Sequence, residues 1–362
     1  MKLMSDSGLW STGPLVAPSP LQAVLEVSGA VLSWTVDEPA ADPQITFTDL
    51  SRADWLWRVL GETGHHALAS TVESSPSEEP RGVDLEGVDV LPGSLDALRR
   101  LAFGHWLRRW WPASQRDGIA TLDAALLDAE IALLTAGAED FFTDDTFDSD
   151  VAEVLRPHVA ALNAHVQEGD PRIVELVERC ADLADEVGIA FDTPARSTRR
   201  EDYALAAGGE RGATTPATVA SGVGSVQWSA VPSGIFDAAE NTADWSVETA
   251  EGVVTATVRV ALSGLASPNG VAVRLRSGPW EGDGMLGADG RATFPVVDSD
   301  RQPVSESAAW GHDWRATTLS IGAHTGESEQ TRDRVRQFAR ARLAAPADDA
   351  FLAEIVAAES DY

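Results

Sequence analysis

The sequence predicts an α+β multidomain chain. A small mixed strand–helix N-terminal region leads into an antiparallel helical bundle. A flexible linker follows, then a C-terminal antiparallel β-sandwich with terminal helices. Three observations carry this prediction. Apolar residues recur with a helical period between 94 and 190, with a period of two between 225 and 323, and with no period between 192 and 224. At 362 residues the chain has room for two or three domains of ~150 residues each. Boundaries are placed at 1–92, 93–191, 192–224, 225–325 and 326–362.

In the N-terminal region, LQAVLEV and AVLSWTV alternate on either side of Ser28-Gly29, which reads as a hairpin. ITF at 45–47 offers a third strand. Ser51 and Asp54 form a candidate capping box ahead of Trp55, Leu56, Trp57, Val59 and Leu60. TVESSPSEEPRGV reads as a polar loop.

The bundle starts with a helix capped by Ser94 and ended by Pro112. Ile119, Leu122, Leu126, Ala129, Leu133 and Ala136 form one apolar stripe on a second helix. A third begins near Ser149, buries Val151, Val154, Leu155 and Leu162, and is split by Pro157. Asp170-Pro171 opens a fourth, which carries Ile173, Val177, Cys180, Ala184 and Val187 on one side.

Residues 192–224 are rich in Ala, Gly, Ser and Thr and read as a mobile linker containing the basic RSTRR at 196–200. Six strand candidates follow: SVQWSAV, WSVET, VVTATVRVAL, VAVRLRS, RATFPVV and TTLSIGA. An Asp-Gly turn stands at 289–290. Within this region LGADGRATFPVV resembles the turn-and-strand of bacterial transthyretin-like and other Ig-like modules, over about 245–323. The resemblance implies a binding or spacing module. A charged helix is expected at 327–345 and a shorter one at 347–358.

Charge and composition exclude several functions. There are 57 acidic residues against 27 basic, and Lys2 is the single lysine. Such a surface repels phosphate backbones and anionic lipid, so neither nucleic acid nor membrane is an expected partner. A Walker loop and an S-x-x-K nucleophile both require a lysine that is missing. One cysteine, Cys180, rules out an intramolecular disulfide and a Cys-rich zinc site. The N-terminal stretch lacks a sustained apolar segment, so a cytoplasmic location is expected. The arginine-rich, lysine-poor composition resembles that of GC-rich bacterial genomes.

Local motifs are weak. GDGMLG at 282–287 satisfies G-x-G-x-x-G but opens no helix that could hold a pyrophosphate, so it reads as a glycine-rich loop. Glu62 and His65 give a single E-x-x-H. His158 and His165 lie on the apolar face of the third helix and read as core or interface histidines with a hydrogen-bond partner. No residue is assigned to catalysis, to a cofactor or to a metal.

The densest aromatic and cationic cluster is GHWLRRWWP at 104–112. Phe103, Trp106 and Trp110 fall within about 60° on a helical wheel, and Leu107 and Trp111 extend that stripe. The stripe should enter the core. His105, Arg108 and Arg109 point elsewhere. They either neutralise the acidic DDTFDSD and DLADE segments, or bind a protein partner as a patch of His105, Arg108, Arg109 and Trp111.

The expected function is therefore that of a non-enzymatic adaptor or regulatory protein of a bacterial multicomponent system, acting through a protein partner and needing no cofactor. The alternative is a hydrolase or metal-dependent enzyme whose site is dispersed over the helical region, drawing on His65, His66, His105, His158 and His165. The charge balance generates one prediction. In moderate salt the protein should show no specific complex with DNA or RNA in a mobility-shift assay; a tight, salt-sensitive complex would contradict it.

Overall fold

The computed structural model describes residues 1–6, 8–13, 17–38, 41–74, 81–139, 141–142, 147–189, 191, 217–264, 266–323 and 326–360. Helices and antiparallel sheets are mixed along the chain, with thirteen strands in three sheets among the described residues. Two compact units result. The first comprises 1–111, 122–194 and 334–362, and the second 112–121 and 195–333. No helix among the described residues is long and apolar enough to cross a membrane.

In the first unit, β1 (Lys2–Asp6), β2 (Leu9–Thr12), β3 (Gln22–Val27), β4 (Ala30–Thr35), β5 (Gln44–Phe47) and β6 (Arg81–Asp84) form one antiparallel sheet ordered β3-β4-β5-β2-β1-β6. The expected hairpin is β3–β4, with Val27 opposite Ala30. Gly29 turns it at φ +74°, where a Cβ would strike the Asp49 carbonyl. Strand β1 escaped the sequence reading because its inward positions are Leu3 and Ser5, 0% and 1% exposed, so apolar alternation is missing.

The helices of this unit start with α1 (Trp57–Ser74), kinked at Gly61. The turn before it is capped by Asp49, whose Oδ1 accepts from Ser51 N and Oγ, in place of the expected Ser51–Asp54 box. Helix α2 (Asp96–Trp110) ends before Pro112 as expected, but Ser94 does not cap it: its hydroxyl donates to Leu91 O. Helix α3 (Ala124–Glu139) is capped by Asp123, which accepts from Ala125 N and Leu126 N. Pro157 divides α4 (Phe147–Leu155) from α5 (Val159–Val166) through a short 3-10 turn. Asp170 accepts from Arg172 N and Pro171 opens α6 (Pro171–Glu186).

Residues 192–216 lie outside the described residues. The last eight residues of the segment read as a linker form β7 (Ala217–Gly224), which opens the four-stranded sheet of the second unit. It continues with β8 (Ala243–Ala250) and β9 (Val253–Val260), then β10 (Ala272–Ser277), β11 (Trp280–Met285), β12 (Arg291–Pro295), α7 (Glu306–Gly311), β13 (Thr318–Ile321) and the start of α8 (Glu329–Ala344). The sheets are ordered β12-β9-β8-β7 and β11-β10-β13. Inward residues of both, including Val247, Val258, Leu275 and Phe294, share one core.

Two expectations fail in this unit. SVQWSAV is not a strand. It holds a 3-10 turn whose Trp228 and Ser229 amides donate to the Glu327 carboxylate at 3.1 and 2.9 Å, which occupies the groups a ladder would need. GDGMLG is not a loop: Gly282 and Gly284 lie within β11, where a Cβ on either would collide with the Phe294 ring.

The first unit closes with residues 334–344 of α8 and with α9 (Leu352–Ser360). Its helices centre on α3, which packs against α2, α4, α5, α6 and α9. Buried residues therefore surround α3, from Ala125, Leu126 and Leu127 through Ile131 and Ala132 to Ala138, where the sequence suggested a single stripe. Gly104 marks the closest approach of α2, since a Cβ there would meet Ile131 at 2.8 Å and Phe351 at 2.9 Å. Phe103 and Trp106 stack at 5.3 Å, and Trp106 Nε1 donates to Pro20 O at 2.6 Å. Trp110, expected in the core, is half-buried near the end of α2.

These contacts set a ranking for urea unfolding. Trp106→Ala should cost about 3–5 kcal/mol, since it leaves a large cavity. Gly104→Ala should cost about 1–3 kcal/mol by overpacking, and Trp110→Ala about 1 kcal/mol. Equal losses for the two tryptophans would contradict the placement of α2.

Candidate functional site

Two helices of the first unit present matching faces. On α2, Asp96, Arg99, Arg100 and Phe103 recur at spacings of three and four; on α8, Phe338, Ala341 and Arg342 do the same. Together with Ala345 just past the end of α8, Thr35 and Val36 at the end of β4, Leu134 of α3, and Asp348 and Asp349, they line a cleft of about 870 Å³. Phe103, Val36, Leu134 and a half-buried Phe338 make an apolar floor, and the exposed Asp96, Asp348 and Asp349 lie at the rim. A concave, mostly apolar surface with a few fixed polar groups is the usual form of a binding site.

Two of the three guanidinium groups in the cleft are committed to the scaffold. Arg342 reaches both carboxylate oxygens of Glu354, which has no exposure, and also meets Asp349 at 2.9 Å. The Arg342 guanidinium lies 4.6 Å from the Phe103 ring centre. Arg100 bonds Glu130 at 3.0 Å and lies 5.1 Å from the Phe351 ring. Burial pushes the Glu130 carboxyl above its ordinary range, opposed by the Leu352 amide and by Arg100. Arg99 differs: half-buried, its guanidinium makes no hydrogen bond or ion pair with any described residue.

The residues proposed from sequence as a partner patch lie along the C-terminal half of α2 and its cap. Arg108 Nε stands 3.4 Å from Asp128 Oδ1, an ion-pair distance without hydrogen-bond alignment. Its carboxylate is thus on α3, and the side chains of DDTFDSD lie outside the described ones. The Arg109 guanidinium covers the Trp110 ring at 4.2 Å. His105 and Trp111 are half-buried.

His158 and His165 each meet a carboxylate of the α3 region: His158 Nε2 lies 2.8 Å from Asp128 Oδ2, and His165 Nε2 2.9 Å from Asp123 Oδ2. His65 and His66 stack at 6.0 Å on α1. No group of three or more potential metal ligands occurs among the described residues.

Sequence reading missed two features. One is the cleft, for which the spacing within FARARLA was an available signal; nothing in the sequence distinguished Arg99. The other is in the second unit, where His312 Nε2 lies 2.9 Å from Ser277 Oγ, Thr317 Oγ1 donates to that hydroxyl at 3.0 Å, and the imidazole lies tilted against Trp280 with 4.1 Å between ring centres. Ser277 has no exposure, so this cluster ties the β10–β11 turn to residues 312–317 and offers no reachable nucleophile. No family model, no curated protein and no solved structure matches the chain.

Cys180 gives a direct check on this packing. Burial pushes its thiol up to about 12, and its Sγ faces Ala129 O at 3.6 Å. Iodoacetamide at mildly alkaline pH should leave the native protein unmodified and alkylate it fully in denaturant, read by mass. Rapid native labelling would contradict the α3–α6 contact.

Proposed function

We propose that this chain is a non-catalytic adaptor or regulatory subunit of a bacterial multicomponent system, and that it holds a protein partner in the cleft between α2 and α8. The observation that carries the reading is Arg99, an uncommitted guanidinium beside an apolar floor, in a chain where acidic residues outnumber basic ones about two to one. A guanidinium freed from internal pairing suits recognition of an external group. In this reading the helices of 94–190 serve as an antiparallel bundle. The two sheets of the second unit serve as a β-sandwich of Ig or transthyretin-like kind, a binding or spacing module. The protein acts in the cytoplasm, away from nucleic acid and membrane.

A second reading, a hydrolase or metal-dependent enzyme, rests on the carboxylate–imidazole pair Asp128–His158 at 2.8 Å. Metal analysis of the purified protein separates the two, since stoichiometric zinc, iron or manganese favours the enzyme.

Partner capture from native lysate tests the adaptor reading. Ala341→Trp should fill the cleft and abolish capture while leaving the melting temperature unchanged, because Ala341 is exposed. Arg108→Ala and Arg109→Ala should each cost no more than about 1 kcal/mol of stability. Capture that survives Ala341→Trp but is lost with the arginine variants would move the partner to the C-terminal end of α2.

A further inference from the structure

The cleft is one of two depressions that meet on α2. The second, of about 330 Å³, is lined by Trp34, Pro43, Leu91 and Pro92 among others. The residues common to both are Asp96 and Arg99. Apolar side chains line part of each: Phe338, Leu134 and Phe103 on one side, and on the other Leu91, Pro92 and Pro43, with the exposed Asp42 among them. Leu91 is 45% exposed, a large apolar side chain left at the surface of its depression.

The boundary between them is charged. Asp96 and Arg99 stand one turn apart on α2, yet neither makes an ion pair with any described residue. Opposite charges at this spacing commonly pair on a helix surface. The 57 acidic residues give every arginine ample choice of partner, so a half-buried guanidinium left unmatched at this boundary is the discriminating feature.

We infer that the two depressions form one bipartite groove for an extended peptide of a partner protein, with an acidic side chain on Arg99 and an apolar side chain in each depression. This rests on the reading that the cleft receives a protein partner. In an extended strand every second side chain faces the same way, ~6.7 Å apart, and the motif proposed is apolar–x–acidic–x–apolar. Asp96 is placed to accept a peptide amide beside the acidic residue. A compact ligand would fill one depression and leave the other open to water. An extended chain covers both and matches the free charge between them.

The test uses the full chain and fluorescein-labelled short peptides, with leucine or phenylalanine at the two outer positions and glutamate, glutamine or lysine at the centre. Anisotropy should show the glutamate peptide binding about tenfold tighter than the glutamine one, and the lysine peptide weaker still. Arg99→Glu should reverse the glutamate–lysine preference without changing the melting temperature. Ala341→Trp should weaken all of the peptides. Equal binding of glutamate and lysine peptides, or a preference unchanged in Arg99→Glu, overturns the inference while the adaptor reading stands. The same holds if no peptide binds but a lysate partner is captured by wild type and lost with Ala341→Trp. Binding of octanoate or phenylpropionate with no peptide binding overturns both readings.

Discussion

The burial of most of α3 is the constraint on which the first unit depends. A helix packed by five others has little solvent-facing surface on which to place charge, and a buried carboxylate without partners costs several kcal/mol. The carboxylates in and just before α3 are accordingly assigned to different neighbours. Asp123 caps α3 and holds His165 of α5; Asp128 meets His158 and Arg108; Glu130 bonds Arg100 of α2 and the Leu352 amide at the start of α9. These three carboxylates thereby help fix the positions of helices packed on α3.

The same assignment shapes the cleft. Arg100 and Arg342 are drawn into internal pairs with Glu130 and Glu354, and aromatic rings lie under both guanidinium groups. Such pairs contribute little net stability against their desolvation cost, but breaking one leaves an uncompensated buried charge, so they hold α2, α8 and α9 in a single arrangement. Rigid walls let one uncommitted side chain define specificity, because a ligand then loses little free energy in ordering the site. Arg99 is placed to act in that way.

Some of this was legible locally. Pro157 splitting a helix, Asp170-Pro171 opening one, and Ser28-Gly29 turning a hairpin are decided by backbone dihedrals and nearby hydrogen bonds, which short stretches of sequence encode. Strands β1 and β11 were illegible because their inward positions carry Ser5, Gly282 and Gly284, residues that signal surface or turn. Those glycines make sense only beneath the Phe294 ring. Ser94 and Ser51 look like caps by type, but Leu91 and Asp49 take their hydroxyls.

By itself, then, the sequence determined the mixture of helix and antiparallel strand, the positions of most helices and the acidic character of the surface. These follow from periodicity, from capping chemistry and from summed charge, none of which needs a long-range contact. Tertiary structure alone decided which of the cleft's arginines are spent and which is free. Arg99 and Arg100 are adjacent and chemically identical, yet one meets Glu130 thirty residues away from it and the other meets no described partner. That difference depends on which way each side chain leaves α2 and on what the fold has placed there, and a linear pattern does not contain it.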